Sequence, residues 1–216
     1  QVLTTAVQWS GSLAAWAGGP LGMLPLGCGN YGCAFTVGSS TKMVVKITYD
    51  PTEPQTWALV HELQKADPAV RAGFARVYKV AHLLDTDKRG NPCNAVLREN
   101  ARSATLSHAE AAVLHQLNHT AWGTHLLTGG GLTRRVNAYR SRIDHYLAGG
   151  KTPRMHGILR GMRAMADRRF LIPRIGDDGV GLRRRTWGDA KKNQLILIDP
   201  GHPPEVPNAP FWPWLP

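Results

Sequence analysis

The segment that most narrows the fold is Gly27-Cys28-Gly29-Asn30-Tyr31-Gly32, which interrupts an otherwise strand-like stretch over 24–49. Glycine at the first, third and sixth positions removes the Cβ atoms that would keep backbone amides away from phosphate oxygens. In dinucleotide-binding folds this spacing leads from a strand into a helix. Here it leads into 33–37 and then into a second alternating run, in which Met43, Val45, Ile47 and Tyr49 interleave with Val44, Lys46 and Thr48. The order strand, glycines, strand predicts a β-hairpin crowned by glycines rather than a Rossmann turn. Taken alone, the loop leaves a plain Gly-rich hairpin open as the alternative.

The remainder divides by periodicity. Thr52 and Gln55 have capping-box spacing ahead of Trp57, Leu59, Val60 and Leu63, which predicts a helix at about 53–66. Apolar stretches at 74–84 and 94–98 flank the polar turn 85–92 and predict a second hairpin. Ser107 and Glu110 form another capping box, opening a helix with Ala111, Leu114 and Leu117 on one side. Val136, Tyr139, Ile143, Tyr146 and Leu147 mark a further helix, and Met155, Ile158, Leu159, Met162, Met165 and Ala166 another. Strand character returns at 181–183 and 194–199. A tail rich in Pro and Trp follows, with Phe211-Trp212-Pro213-Trp214 suited to packing back on the body. A β-rich first hundred residues and a mainly helical remainder make an α+β chain.

Composition sets outer bounds. With 216 residues, 43% of them hydrophobic, the chain can build one sizeable core or two small lobes. No apolar run approaches the ~18 residues of a spanning helix and no basic-then-apolar signal opens the sequence, so a cytoplasmic protein without a membrane partner is expected. Three cysteines, Cys28, Cys33 and Cys93, cannot close a disulfide framework; they fit a reducing compartment as small buried apolar side chains. The net charge of +11 concentrates in Arg134, Arg135, Arg140 and Arg142, in Arg160, Arg163, Arg168 and Arg169, and in Arg183, Arg184 and Arg185. Such clustering favours a binding face for an acidic protein partner, with nucleic acid the weaker reading because no reader motif accompanies the arginines. His115 and His119 have zincin spacing, but Gln116 stands where the general base belongs, which argues against metalloprotease chemistry.

Three further features give the glycines company. Val44-Val45-Lys46 follows them on a strand, Glu62 lies on the next predicted helix, and Gln194-Leu195-Ile196-Leu197-Ile198-Asp199-Pro200-Gly201 ends an apolar strand in a carboxylate. This order resembles the protein-kinase-like superfamily, with Val44–Lys46 similar to its V-A-I-K strand and Asp199-Pro200-Gly201 similar to its D-F-G segment. The Ile-Asp-Pro-Gly form is closer to small phage and bacterial members than to eukaryotic signalling kinases. The resemblance covers 24–100 well and 154–201 in part. It implies a bilobal fold: a β-rich amino-terminal lobe with one helix over 1–100, and a reduced, mainly helical lobe over 101–216 with an insertion at 120–152.

The resemblance also implies a function and a site. The expected activity is ATP- and Mg²⁺-dependent phosphate transfer to protein, of the Ser/Thr type, by a phage-encoded enzyme acting on host proteins in the host cytoplasm. Gly27, Gly29, Tyr31 and Gly32 would lie over the phosphates, Lys46 would pair with the α- and β-phosphates, and Glu62 would hold Lys46. Backbone groups of Leu97 to Glu99 would meet the adenine edge, and Asp199 would hold the metal. The catalytic loop departs from the family pattern. Ungapped alignment on Val180-Gly181-Leu182-Arg183 puts Arg174 in place of the catalytic Asp and Gly179 in place of the metal-binding Asn, whereas a shortened loop makes Asp177 or Asp178 the hydroxyl-orienting carboxylate. Both registers stand at this point. The first turns the expectation into a catalytically impaired pseudokinase that regulates a partner through its basic surface.

Overall fold

The computed structural model describes residues 23–29, 32–37, 40–48, 50, 52–86, 92–122, 131–172, 175–176, 179–183 and 194–199. The first half contains β1 (Pro25–Gly29), β2 (Gly32–Val37), β3 (Ser40–Thr48), α1 (Thr52–Ala66), α2 (Pro68–Gly73), β4 (Val77–Thr86) and β5 (Pro92–Glu99). Then come β6 (Ala101–Ser103), α3 (His108–Trp122), α4 (Gly131–Gly149), a 3-10 turn (Pro153–Met155), α5 (His156–Asp167), β7 (Val180–Arg183) and β8 (Leu195–Leu197). The chain is α+β. Five strands form one antiparallel sheet in the order β1-β2-β3-β5-β4, and β6-β7-β8 form a smaller one.

Both expected hairpins are present: Gly29 lies opposite Gly32 across β1 and β2, and β4 pairs with β5. Strand β3 sits between β2 and β5, so Lys46 is flanked by Ala34 and Val96. Alternation along the strands then sorts the side chains. Val45 and Ile47 join Met23, Cys33, Phe35 and Ala95 in a small cluster on one face. Val44, Lys46, Val96 and Arg98 share the other face, which turns to α1.

Helix α1 presents Glu53, Thr56, Trp57, Val60 and Gln64 inward, a stripe at helical spacing, and all five are buried. Trp57 and Val60 belong to a core that also holds Val96, Leu114, Leu117, Tyr139, Ile143, Met162 and Leu197. One continuous core therefore runs from the inner face of the large sheet into the helical half. Helix α4 forms where the spacing of Val136, Tyr139, Ile143, Tyr146 and Leu147 predicts a helix, and it contributes Val136, Tyr139 and Ile143 to the buried set. The Ser107–Glu110 capping box forms as expected, with Ser107 N–H donating to Glu110 Oε2 at 2.8 Å and Glu110 N–H to Ser107 Oγ at 3.3 Å.

A seam of short ties joins the two halves. Asp67 caps α2 through the Ala69 amide at 2.9 Å, and Pro68 occupies the position where a missing N–H costs nothing. Helix α2 then meets α5 at bare backbone: a Cβ on Gly73 would lie 2.3 Å from the Gly157 carbonyl oxygen. Ala75 N–H donates to Leu197 O at 2.9 Å. Arg183 donates to Phe74 O at 2.8 Å and to Arg71 O at 3.0 Å, and it pairs with Glu99 at 3.2 Å. These ties hold β8, and with it Asp199 two residues beyond, against the large sheet.

Candidate functional site

The site forms where β3, the first turn of α1 and the end of β8 meet. Lys46 Nζ lies 2.8 Å from Glu53 Oε1 and 2.6 Å from Asp199 Oδ2, the latter a contact across 153 positions of sequence. The three side chains are unequally exposed, at 15% for Lys46, 4% for Glu53 and 40% for Asp199, which leaves Asp199 as the carboxylate turned to solvent. Burial by itself lowers the proton affinity of Lys46. Glu53 and then Asp199 more than offset it, so the ammonium is held above its usual pKa and stays charged. Trp57 Nε1–H donates to the same Glu53 Oε1 at 3.2 Å, and the Arg98 guanidinium lies 5.9 Å over the Trp57 ring.

The expected partner of Lys46 was Glu62, and here the structure requires a correction. Glu62 is exposed and paired with Lys65 at 2.7 Å, an i,i+3 contact on the outer side of α1. Glu53 and Glu62 are nine residues apart, about two and a half helical turns, so they project on opposite sides. Glu53 was legible in principle. It lies four positions before Trp57 and seven before Val60, on the same stripe that buries them.

The adenine-edge expectation also needs correcting. Glu99 N–H already donates to Arg76 O at 2.7 Å, and its carboxylate takes Arg183 at 3.2 Å and the Arg76 amide at 3.1 Å. Leu97 is paired in register with Val45 and Lys79, and its side chain packs beside the Val45 cluster, on the face opposite Lys46.

The glycines have separate reasons. A Cβ on Gly32 would stand 2.2 Å from the Ile47 carbonyl oxygen, so β2 approaches β3 too closely there for any side chain. Around Gly27 the space is open. Gly29 closes β1, and Tyr31 lies outside the described residues.

Asp177 and Asp178 also lie outside the described residues, but the glycines on either side are fixed. Gly179 N–H donates to Gly176 O at 2.9 Å, and Gly179 O accepts the amides of Ile198 at 2.8 Å and Asp199 at 3.1 Å. A Cβ at Gly179 would meet Asp199 O at 2.6 Å, so the position that one register gives to an Asn has no room for a side chain. Upstream, Asn118 of α3 clasps Ile175 from both sides, donating to its carbonyl and accepting from its amide at 2.9 Å each. Nothing in the sequence around Asn118 announced that role.

The peripheral expectations separate. Cys33 is disulfide-bonded and Cys93 is a buried thiol outside any disulfide, so the reading of all three cysteines as plain apolar side chains fails at Cys33, whose cross-strand register partner is Cys28. Several clustered arginines are occupied internally: Arg140 with Asp167, Arg163 with Asp144 and Asp167, and Arg168 with Asp67. Arg134, Arg142 and Arg160 are exposed and carry no ion pair among the described residues; Arg184 and Arg185 lie outside them. His115 and His119 are exposed, and no group of three metal-ligating side chains occurs among the described residues. Among the same residues no helix is long and apolar enough to cross a membrane.

No protein-family model matches this chain, and no curated protein matches it. The functional reading therefore rests on the geometry. That geometry is a charged lysine held between a buried and a half-exposed carboxylate, on the strand next to a hairpin whose strand ends Gly29 and Gly32 face each other. Such a set can bind an anion on the ammonium and a cation on the outer carboxylate, and it can bring the two together.

Proposed function

We propose that this chain is an ATP-dependent phosphotransferase of protein-kinase-like architecture that acts on protein, and the observation that carries the proposal is Lys46 bridging Glu53 and Asp199. Strand order supports the reading, because β3 lies between the glycine hairpin's second strand and β5, the order in which a strand lysine follows a phosphate-binding loop. Glu53 positions the lysine from the helix, in the role first assigned to Glu62. Lys46 pairs with the α- and β-phosphates once Asp199 turns outward.

Asp199 fits a divalent cation by its chemistry, as the half-exposed carboxylate at the end of a buried strand. A Mg²⁺ ion bound there would neutralise charge developing on the β- and γ-phosphate oxygens. Asp177 or Asp178 orients the acceptor hydroxyl and takes its proton as the acceptor oxygen bonds to the γ-phosphorus and the bond to the leaving ADP oxygen breaks. Positioning and charge neutralisation supply most of the rate, so Lys46→Ala or Asp199→Ala should lower it on the order of a hundredfold or more. Transfer of radiolabelled phosphate to an acidic protein mixture measures this; variants that match wild type end the proposal.

One observation favours a second reading. The Gly179 position excludes a second metal-binding side chain, so the chain fits equally a nucleotide-binding regulator that holds an acidic partner protein through Arg134, Arg142 and Arg160. Partner capture that survives Lys46→Ala and weakens steeply with salt distinguishes it.

A further inference from the structure

Arg98 is a buried cation beside the site that the proposed chemistry leaves unused. It pairs in register with Val44, as Val96 does with Lys46, so Arg98 and Lys46 share one face of the sheet two residues apart. The residue is only 7% exposed. Its guanidinium lies over Trp57, whose indole N–H binds Glu53, so the ring places Arg98 beside the Lys46 constellation. A guanidinium has five N–H donors. Among the described residues its one hydrogen bond is a long contact from Nη1 to Glu99 O at 3.4 Å, and Nε is buried without an acceptor. A buried cation with unmet donors is unfavourable unless something completes it. Burial pulls the guanidinium below its usual pKa, opposed first by Asp199, then by Glu53 and Glu99. The Asp199 carboxylate thus sits in the field of two cations, paired directly with one of them, Lys46.

We propose that Arg98 is a second polyphosphate-binding residue, and that on ligand entry a phosphate group replaces the Asp199 carboxylate at Lys46 and meets the open donors of Arg98. This rests on the nucleotide reading above and goes beyond it. The exchange frees Asp199, satisfies the guanidinium with charge-assisted hydrogen bonds, and sets two fixed positive charges against the polyphosphate. Part of the affinity is then independent of any divalent metal.

The test uses the full chain, with inorganic tripolyphosphate in EDTA and ATP with Mg²⁺ as separate probes in isothermal titration. Wild type is expected to bind tripolyphosphate in EDTA, and Arg98→Met to weaken that binding about tenfold or more. Arg98→Lys keeps the charge, loses the fork and falls between. Wild type that binds ATP with Mg²⁺ but not tripolyphosphate in EDTA overturns the role of Arg98 and leaves the nucleotide reading standing. Wild type that binds neither probe overturns both. If Arg98→Met fails to fold by circular dichroism, Arg98→Lys carries the test: weakened tripolyphosphate binding supports the role, and binding equal to wild type overturns it.

Discussion

Replacing Lys46 with Met separates the two carboxylates that hold it and shows which helix glutamate belongs to the site. Glu53 is almost wholly buried, so removing the ammonium strands a charge in the core, a loss of about 3–5 kcal/mol for a broken buried pair. The Trp57 N–H bond to Glu53 survives, which favours the lower end of that range. Asp199 is 40% exposed, and solvent screening leaves its share small. At about 2–4 °C per kcal/mol for a chain of this size, the melting temperature should fall by about 10 °C. Glu53→Gln preserves shape and leaves Lys46 its Asp199 partner, so it should lose about 1–2 kcal/mol. The double variant Lys46→Met/Glu53→Gln buries no lone charge and should recover stability, giving a coupling of about 2 kcal/mol. Glu62→Gln touches only an exposed i,i+3 pair and should stay within about 0.5 kcal/mol of wild type. Urea unfolding followed by tryptophan fluorescence on nucleotide-free protein gives all four values. Additive single effects, or a Glu62→Gln loss as large as that of Glu53→Gln, would refute the reasoning.

Two further outcomes follow from the same geometry. Lys46 has a raised pKa in the folded chain, so its contribution is fully present below the ordinary lysine value of about 10.4 and is lost as pH climbs through the folded value. The stability gap between wild type and Lys46→Met should therefore stay constant from neutral pH to about pH 10 and shrink above it, and a gap that widens above about pH 10 contradicts the assignment. Gly32→Ala forces a methyl onto the Ile47 carbonyl and should destabilise by about 1–3 kcal/mol, whereas Gly27→Ala meets open space and should not; thermal melts that rank the two in reverse would show the hairpin to be differently packed.

Much of this arrangement was legible in the sequence because local rules and the final fold agree. The glycine hairpin, the alternation through Lys46, the Ser107 capping box and the apolar strand ending at Asp199 each appear where period and capping chemistry put them. The misassigned glutamate shows where the reading stopped. Helical periodicity places a face, but the choice between two acids on one helix depends on the side that packs inward, and the buried Trp57 and Val60 select Glu53. Helix α2 and strand β6 are too short for periodicity to register, although Asp67-Pro68 is a recognisable start signal. Arg98, Asn118 and Gly179 owe their positions to strand register and to contacts between distant segments. Which arginines of the basic clusters are matched internally was not legible either, because their acids lie one helix away: Arg140 and Arg163 are matched by Asp167 and Asp144.

The most direct test of a triphosphate site around Lys46 is the thermal stability of the full chain with and without ATP and Mg²⁺. At about 100 times its dissociation constant the ligand should add about 2.7 kcal/mol, a rise of roughly 5–10 °C that Lys46→Met largely abolishes. An unchanged melting temperature at millimolar nucleotide, or an equal rise in Lys46→Met, would contradict the account.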